Sequence, residues 1–211
     1  MEGFSYYFRV QTRELISRLG IGRSGGSRIL LLHLALIGVF GVYVPWMKGI
    51  SFLDPVILAP YACLGIFFAA PAAAQAFDEG RPTSMKEVMA RILVAVLYGE
   101  AMAAVILVAG FATVYMRHAR MGAFSPELVS FAAAGLLGVT ASFALAAAAV
   151  WITLRLSANS ARGALRVIFL LLLVLFYFRS NWLPNVADTA ALVCLAIAIA
   201  ESFALRRLVV S

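Results

Sequence analysis

From Ile92 to Met116 the chain carries one charged side chain, Glu100, in a stretch longer than the ~20 apolar residues a helix needs to cross a bilayer. In water, such a segment has to be wrapped by the remainder of its fold. Here the remainder is of the same kind: 64% of the 211 residues are hydrophobic and 13% are charged, against about 25% charged in an ordinary soluble domain. With a mean hydropathy of +0.97, the chain cannot cover its own surface with polar groups.

Six segments approach or exceed a bilayer span: Ile29–Trp46, Val56–Phe77, Ile92–Met116, Leu128–Leu154, Ala164–Trp182 and Ala187–Leu205. The expected fold class is an all-α polytopic membrane protein with six transmembrane helices, because a membrane β-barrel would show short alternating segments instead. The fourth segment is long enough to tilt or to extend beyond the lipid. The first 28 residues are basic and semi-polar, so no removable signal peptide is expected.

Orientation follows from the basic residues. Thirteen of the 17 fall in the N-terminal segment, the second and fourth connections and the tail. Only Lys48, Arg117, Arg120 and Arg179 fall on the other side. The positive-inside rule then places both termini in the cytoplasm. The net charge of +7 sits at the ends of apolar runs, which suits lipid headgroups and topology, and nucleic acid is not an expected partner. The outer connections, Lys48–Pro55, Arg117–Glu127 and about Leu183–Val186, are too short for an extracellular domain. In the second of them, Ser125-Pro126-Glu127 reads as a helix start. Trp46 and Trp182 stand where interfacial anchors do.

Residues 1–28 form the first region: an amphipathic helix and a hinge. At 100° per residue, Phe4, Phe8, Leu15 and Leu19 share one sector, with Arg9, Arg13 and Ser17 opposite, so the helix is expected to lie flat on the inner leaflet. "GIGRSGGSR" (Gly20–Arg28) is the hinge. Residues 29–211 are the membrane domain, interrupted by a charged cytoplasmic elbow at 78–91. Gly80-Arg81-Pro82 ends any helix continuing from the second span. Ser84-Met85-Lys86-Glu87 fits a capping box, so a new helix starts near Ser84 and runs into the third span. The fourth connection, "RLSANSARGALR", is basic and compact, with Asn159 or Ser160 placed to cap the fifth span.

Inside the membrane the small-residue runs "AAPAAAQA", "FAAAGLLG" and "ALAAAA" permit close helix contact. Pro60 and Pro71 each remove a backbone donor from the second span and favour kinks. Glu100, nine residues past Arg91, stands ~13 Å deep. A charge there costs at least ~2.5 kcal/mol, so the side chain is expected to face the bundle interior. Three roles suit it: proton coupling, contact with a cationic substrate, or a structural hydrogen bond. Glu201, five residues before Arg206, is placed to snorkel or to pair with a basic residue at the helix end. His33 reads as a polar packing residue. His33 and His118 lie near opposite faces and cannot meet. Cys63 and Cys194, both within spans, read as small buried hydrophobes rather than a disulfide or a metal site.

The chain contains no Gly-x-x-x-x-Gly-Lys-Ser/Thr, no His-Glu-x-x-His and no catalytic carboxylate pair, so neither a catalytic residue nor a metal ligand is expected. Any chemical fuel has to be spent by another polypeptide.

The segment "FDEGRPTSMKEVMARILVAVLYGE" (Phe77–Glu100) has an acidic pair and a glycine followed by a short helix entering the third span. It resembles the elbow of the permease subunits of type 2 ABC transporters, the ABC-2 family. The layout resembles theirs over the whole chain: an amphipathic N-terminal helix, six spans, both termini inside and a charged elbow after the second span. The resemblance implies an exporter of the plasma membrane, the inner membrane in a bacterium. It implies a permease that pairs as a homodimer above two separate cytoplasmic ATPase subunits. By position, Asp78, Glu79, Arg81, Lys86 and Glu87 would meet the ATPase. ATP and Mg²⁺ would sit on that partner, with no cofactor in this chain. Family exporters commonly carry re-entrant helical segments outside, between spans five and six, where this chain has only a few residues. Two other readings stand beside this one: a proton-coupled secondary transporter built around Glu100, and a membrane scaffold acting through its cytoplasmic helices.

Overall fold

The structure is a computed structural model that describes residues 3–18, 26–74, 82, 84–118, 128–156 and 182–210, together with residues 160, 163–165, 167–168, 170–172 and 174. Helix α1 is Phe4–Arg18. Helix α2, Gly26–Leu36, passes into a π-helical segment, Ile37–Tyr43, and then into α3, Val44–Lys48, and a 3₁₀ turn, Gly49–Leu53. Helices α4, Pro55–Ala62, and α5, Gly65–Ala73, follow on one path. Three long helices complete the bundle: α6, Met85–His118; α7, Leu128–Arg155; and α8, Leu183–Val210. No strand occurs among the described residues.

Five of these paths are long and apolar enough to cross a membrane: Leu30–Leu53, Pro55–Ala73, Met85–His118, Ala132–Arg155 and Leu183–Val209. This is the architecture of an all-α, multi-pass membrane protein. The expected fifth span, Ala164–Trp182, falls largely outside the described residues, and only a shorter apolar helix, Gly163–Leu172, is seen there. The expected helix start at Ser125 and the candidate cap Asn159 also lie outside them, whereas the alternative cap, Ser160, is described and helical.

Each end of the bundle has its own apolar core. At the basic end, Ala70 and Ala73 of α5, Val88, Ile92 and Val96 of α6, Ala146 and Val150 of α7, and Leu205 of α8 pack together. At the opposite end, Phe52, Leu58, Tyr61, Ile106 and Val114 form a second cluster, with Phe52 edge-on to Tyr61 at 5.0 Å between ring centroids. In lipid the drive for such contacts is close packing rather than escape from water, so alanine is as useful here as leucine. The exposed large side chains, such as Leu31, Val108 and Leu192, face outward where hydrocarbon would meet them.

Local chemistry fixes the details. Asp54 caps α4 by accepting from Val56 N at 2.9 Å, with Pro55 in the first helical position where its missing N–H costs nothing. Gly49 turns the chain with φ +58°, and a Cβ there would stand 2.9 Å from His118 Nε2. The widened π segment brings Gly41 against α6. A Cβ on Gly41 would lie 2.9 Å from the Ala109 Cβ. The Thr113 hydroxyl, bonded to Ala109 O at 2.8 Å, also reaches Gly41 O at 3.1 Å.

Helix α1 is seated on α6. Arg91 is only 4% exposed; its Nε donates to Gln11 Oε1 at 2.7 Å and its Nη2 to Glu14 Oε2 at 3.2 Å. Sequence reasoning counts Arg91 only as a topological charge, yet it is the anchor of the N-terminal helix. The polar face carrying Gln11 and Glu14 meets the protein, while Phe4 and Ile16 remain exposed.

Candidate functional site

The second membrane path breaks in its middle. Pro60 has no N–H to return to the preceding turn, and the helix does not recover its ordinary pattern until Gly65. Cys63 N bonds to Pro60 O at 3.1 Å, Leu64 N to Tyr61 O at 3.1 Å, Ile66 N to Cys63 O at 3.2 Å and Phe67 N to Leu64 O at 3.1 Å. These are three-residue closures, tighter than an α-helix. The expectation of kinks at both prolines is refined: the break falls three residues beyond Pro60, whereas α5 runs on past Pro71 to Ala73.

Two glycines on neighbouring helices receive the broken segment. A Cβ on Gly138 of α7 would run into Ala62 O, and one on Gly99 of α6 would stand 2.5 Å from Gly65 O. The carbonyls of the break therefore press directly on backbone. Cys63 is fully buried, with its Sγ 3.9 Å from Ala134 O, and both Cys63 and Cys194 are free thiols.

Glu100 stands at this break. It lies near the middle of α6, and its carboxylate faces Gly65 so closely that a Cβ there would collide with it. Its Oε1 accepts a hydrogen bond of 2.7 Å from Ser142 Oγ of α7, and Ser142 is fully buried. One carboxyl thus joins α5, α6 and α7 at the point where a helix is interrupted. Of the three roles open to Glu100 in the sequence, the hydrogen bond is observed. The signal for its partner was weak, since Ser142 is one of two close hydroxyls, with Thr140, in an apolar helix.

The other intramembrane candidates separate from this cluster. His33 of α2 hydrogen-bonds through Nε2 with the Tyr98 hydroxyl of α6, and its ring lies 5.9 Å from that of Phe68. It is a polar packing residue joining three elements. Glu201 of α8 faces a cavity bordered by α7, and its Oε2 is buried without a hydrogen-bond partner among the described residues. Of the two expectations for Glu201, snorkelling or pairing with a basic residue at the helix end, no ion pair to Arg206 or Arg207 is seen among the described residues.

Of the elbow residues, Lys86 is exposed in the first turn of α6. The Glu87 N–H donates to Ser84 Oγ at 3.3 Å, so Ser84 caps the helix. Asp78, Glu79 and Arg81 lie outside the described residues. Among the described residues no three His, Cys, Asp or Glu side chains come together as a metal cluster.

Set against protein-family models, curated proteins and solved structures, the chain matches none of them.

Proposed function

We propose that this chain is the membrane-spanning subunit of an ATP-driven export system of the ABC-2 type. In this reading it has six spans with both termini in the cytoplasm and sits in the plasma membrane as one half of a homodimer. The observation that carries the reading is the seat of α1 on α6 through Arg91, Gln11 and Glu14. An amphipathic helix and the capped start of α6 become one stiff unit at the basic end. A force applied there by a cytoplasmic ATPase would pass straight along α6 to the broken helix beside Glu100. Lys86 and Glu87 belong to the surface offered to that ATPase, and Asp78, Glu79 and Arg81 are proposed to complete it.

The test is reconstitution. The chain is co-expressed with an ATPase encoded beside it, captured through this chain, and placed in liposomes with and without the partner. The ATPase should co-purify, charge reversal at Glu79 or Lys86 should weaken the capture, and the chain alone should move no solute. Capture that ignores both reversals, or brisk flux from the solitary chain, sinks the proposal.

A second reading draws on a different observation, the Glu100–Ser142 bond at the interrupted helix. Many ion-coupled carriers bind at a broken helix near mid-membrane. If this chain is one of them, an imposed proton gradient drives flux without any ATPase, and Glu100→Gln abolishes it.

A further inference from the structure

The cavity that Glu201 faces has a volume of about 500 Å³. Its wall on α8 is one stripe, Leu183, Val186, Ala190, Cys194, Ile197 and Glu201, spaced three and four residues apart. At 1.5 Å per residue that stripe is ~27 Å long, close to the ~30 Å hydrocarbon thickness of a bilayer. Across from it, α7 contributes the small side chains of Ala141, Ala144 and Ala148, which leave the space open. Trp182 lies at one end and Glu201 near the other.

Shape and charge narrow the occupant. The stripe on α8 and the alanines of α7 make an elongated trough, open along one side, that suits an extended chain. Among the described residues the wall is apolar except at Glu201, whose Oε2 is buried with no hydrogen-bond partner there. A carboxyl group left so is costly in an apolar setting, and a donor-bearing cation relieves that cost. An anionic headgroup brings no donor to relieve it.

We propose that this cavity binds a single-chain amphiphile with a cationic amine head, its tail lying along α8 and its head at Glu201. The site stands independently of the export reading, because binding needs no ATPase and no flux. If both hold, long-chain amines are the substrate class.

The experiment uses the full chain in nanodiscs of a zwitterionic phospholipid. Trp46→Phe and Trp151→Phe leave Trp182 as the only one of the 3 tryptophans. A hexadecylamine brominated at its tail carbon serves as the quencher. With the head at Glu201, the bromine comes toward Trp182, and quenching should saturate and reverse on adding unlabelled hexadecylamine. Hexadecanol and hexadecanoate should compete at least tenfold less well, a comparison that leaves Glu201 intact. Glu201→Gln should weaken the amine at least tenfold, and Ala144→Leu, which fills the space, should weaken all three. The proposal is overturned if quenching only tracks partition into lipid, or if the three headgroups compete equally. It is also overturned if Glu201→Gln changes the oligomeric state while leaving amine quenching as it was.

Discussion

Arg91 of α6 and Glu14 of α1, far apart in the chain, form an ion pair of 3.2 Å in which the arginine is almost wholly enclosed. Removing one partner of a buried pair strands the other. Arg91→Ala should therefore cost about 3 kcal/mol, the lower end of the usual range because Glu14 keeps some solvent. Glu14→Gln leaves a neutral oxygen and Gln11 Oε1 to accept from Arg91 but removes its counter-charge, so it should cost less, about 1–2 kcal/mol. Amide exchange over residues 4–18 reports the difference directly. It should rise to near-unprotected rates in Arg91→Ala and stay slow in Glu14→Gln.

The Glu100–Ser142 bond makes a prediction about stability that is separate from any transport role. Glu100→Gln retains an oxygen that accepts from Ser142, so the melting temperature should move little. Ser142→Ala removes the donor and should lower stability by about 1–3 kcal/mol. Thermal unfolding in detergent checks this, and an equal loss in both variants would contradict the observed geometry.

Gly138 and Gly99 are the contacts that let the broken segment approach. Gly138→Ala drives a methyl group into the Ala62 carbonyl, and Gly99→Ala drives one into that of Gly65. Both obstacles are backbone, which cannot swing aside as a side chain does. Each change should destabilise the bundle by about 1–3 kcal/mol. Gly135→Ala, with open space at its Cβ position, is the matched control on α7 and should be neutral or slightly stabilising.

At the head of α6, Ser84→Ala removes the side-chain acceptor of the Glu87 N–H. The expected loss is about 1 kcal/mol, with Ser84→Asp restoring it. Exchange at the amides of Met85 to Val88 should speed up while the middle of α6 stays protected.

The outline of the bundle was legible because apolar length is a property of each segment alone. Segments near Ile29–Trp46, Val56–Phe77, Ile92–Met116, Leu128–Leu154 and Ala187–Leu205 all correspond to long helical paths. The boundaries were less so. The first path continues to Leu53 because the 3₁₀ turn at Gly49–Leu53 adds an apolar wrap that hydropathy alone does not assign to helix. Pro60 announced a disturbance, but where it falls depends on which glycines the neighbouring helices offer. What stayed hidden were the pairs: Arg91 with Gln11 and Glu14, Glu100 with Ser142, His33 with Tyr98. Each joins residues at least 42 positions apart. A charge reads as topology or as function until its partner is known, and partners at that distance leave no local periodicity. Glu201 is the reverse case: its place near the helix end allowed snorkelling or a pairing with arginine, and only the packed helices show it facing a cavity.

The seat of the N-terminal helix also sets an order of manufacture. When α1 leaves the ribosome, the guanidinium that will hold it does not yet exist, and two membrane passages must be threaded before it does. Until then the newborn segment has no docking place of its own. Its final posture is a record that both earlier passages have crossed. A molecule in which one of those two passages failed to cross would carry its first helix and its arginine on opposite faces of the lipid, and would leave that helix loose for a protease to find.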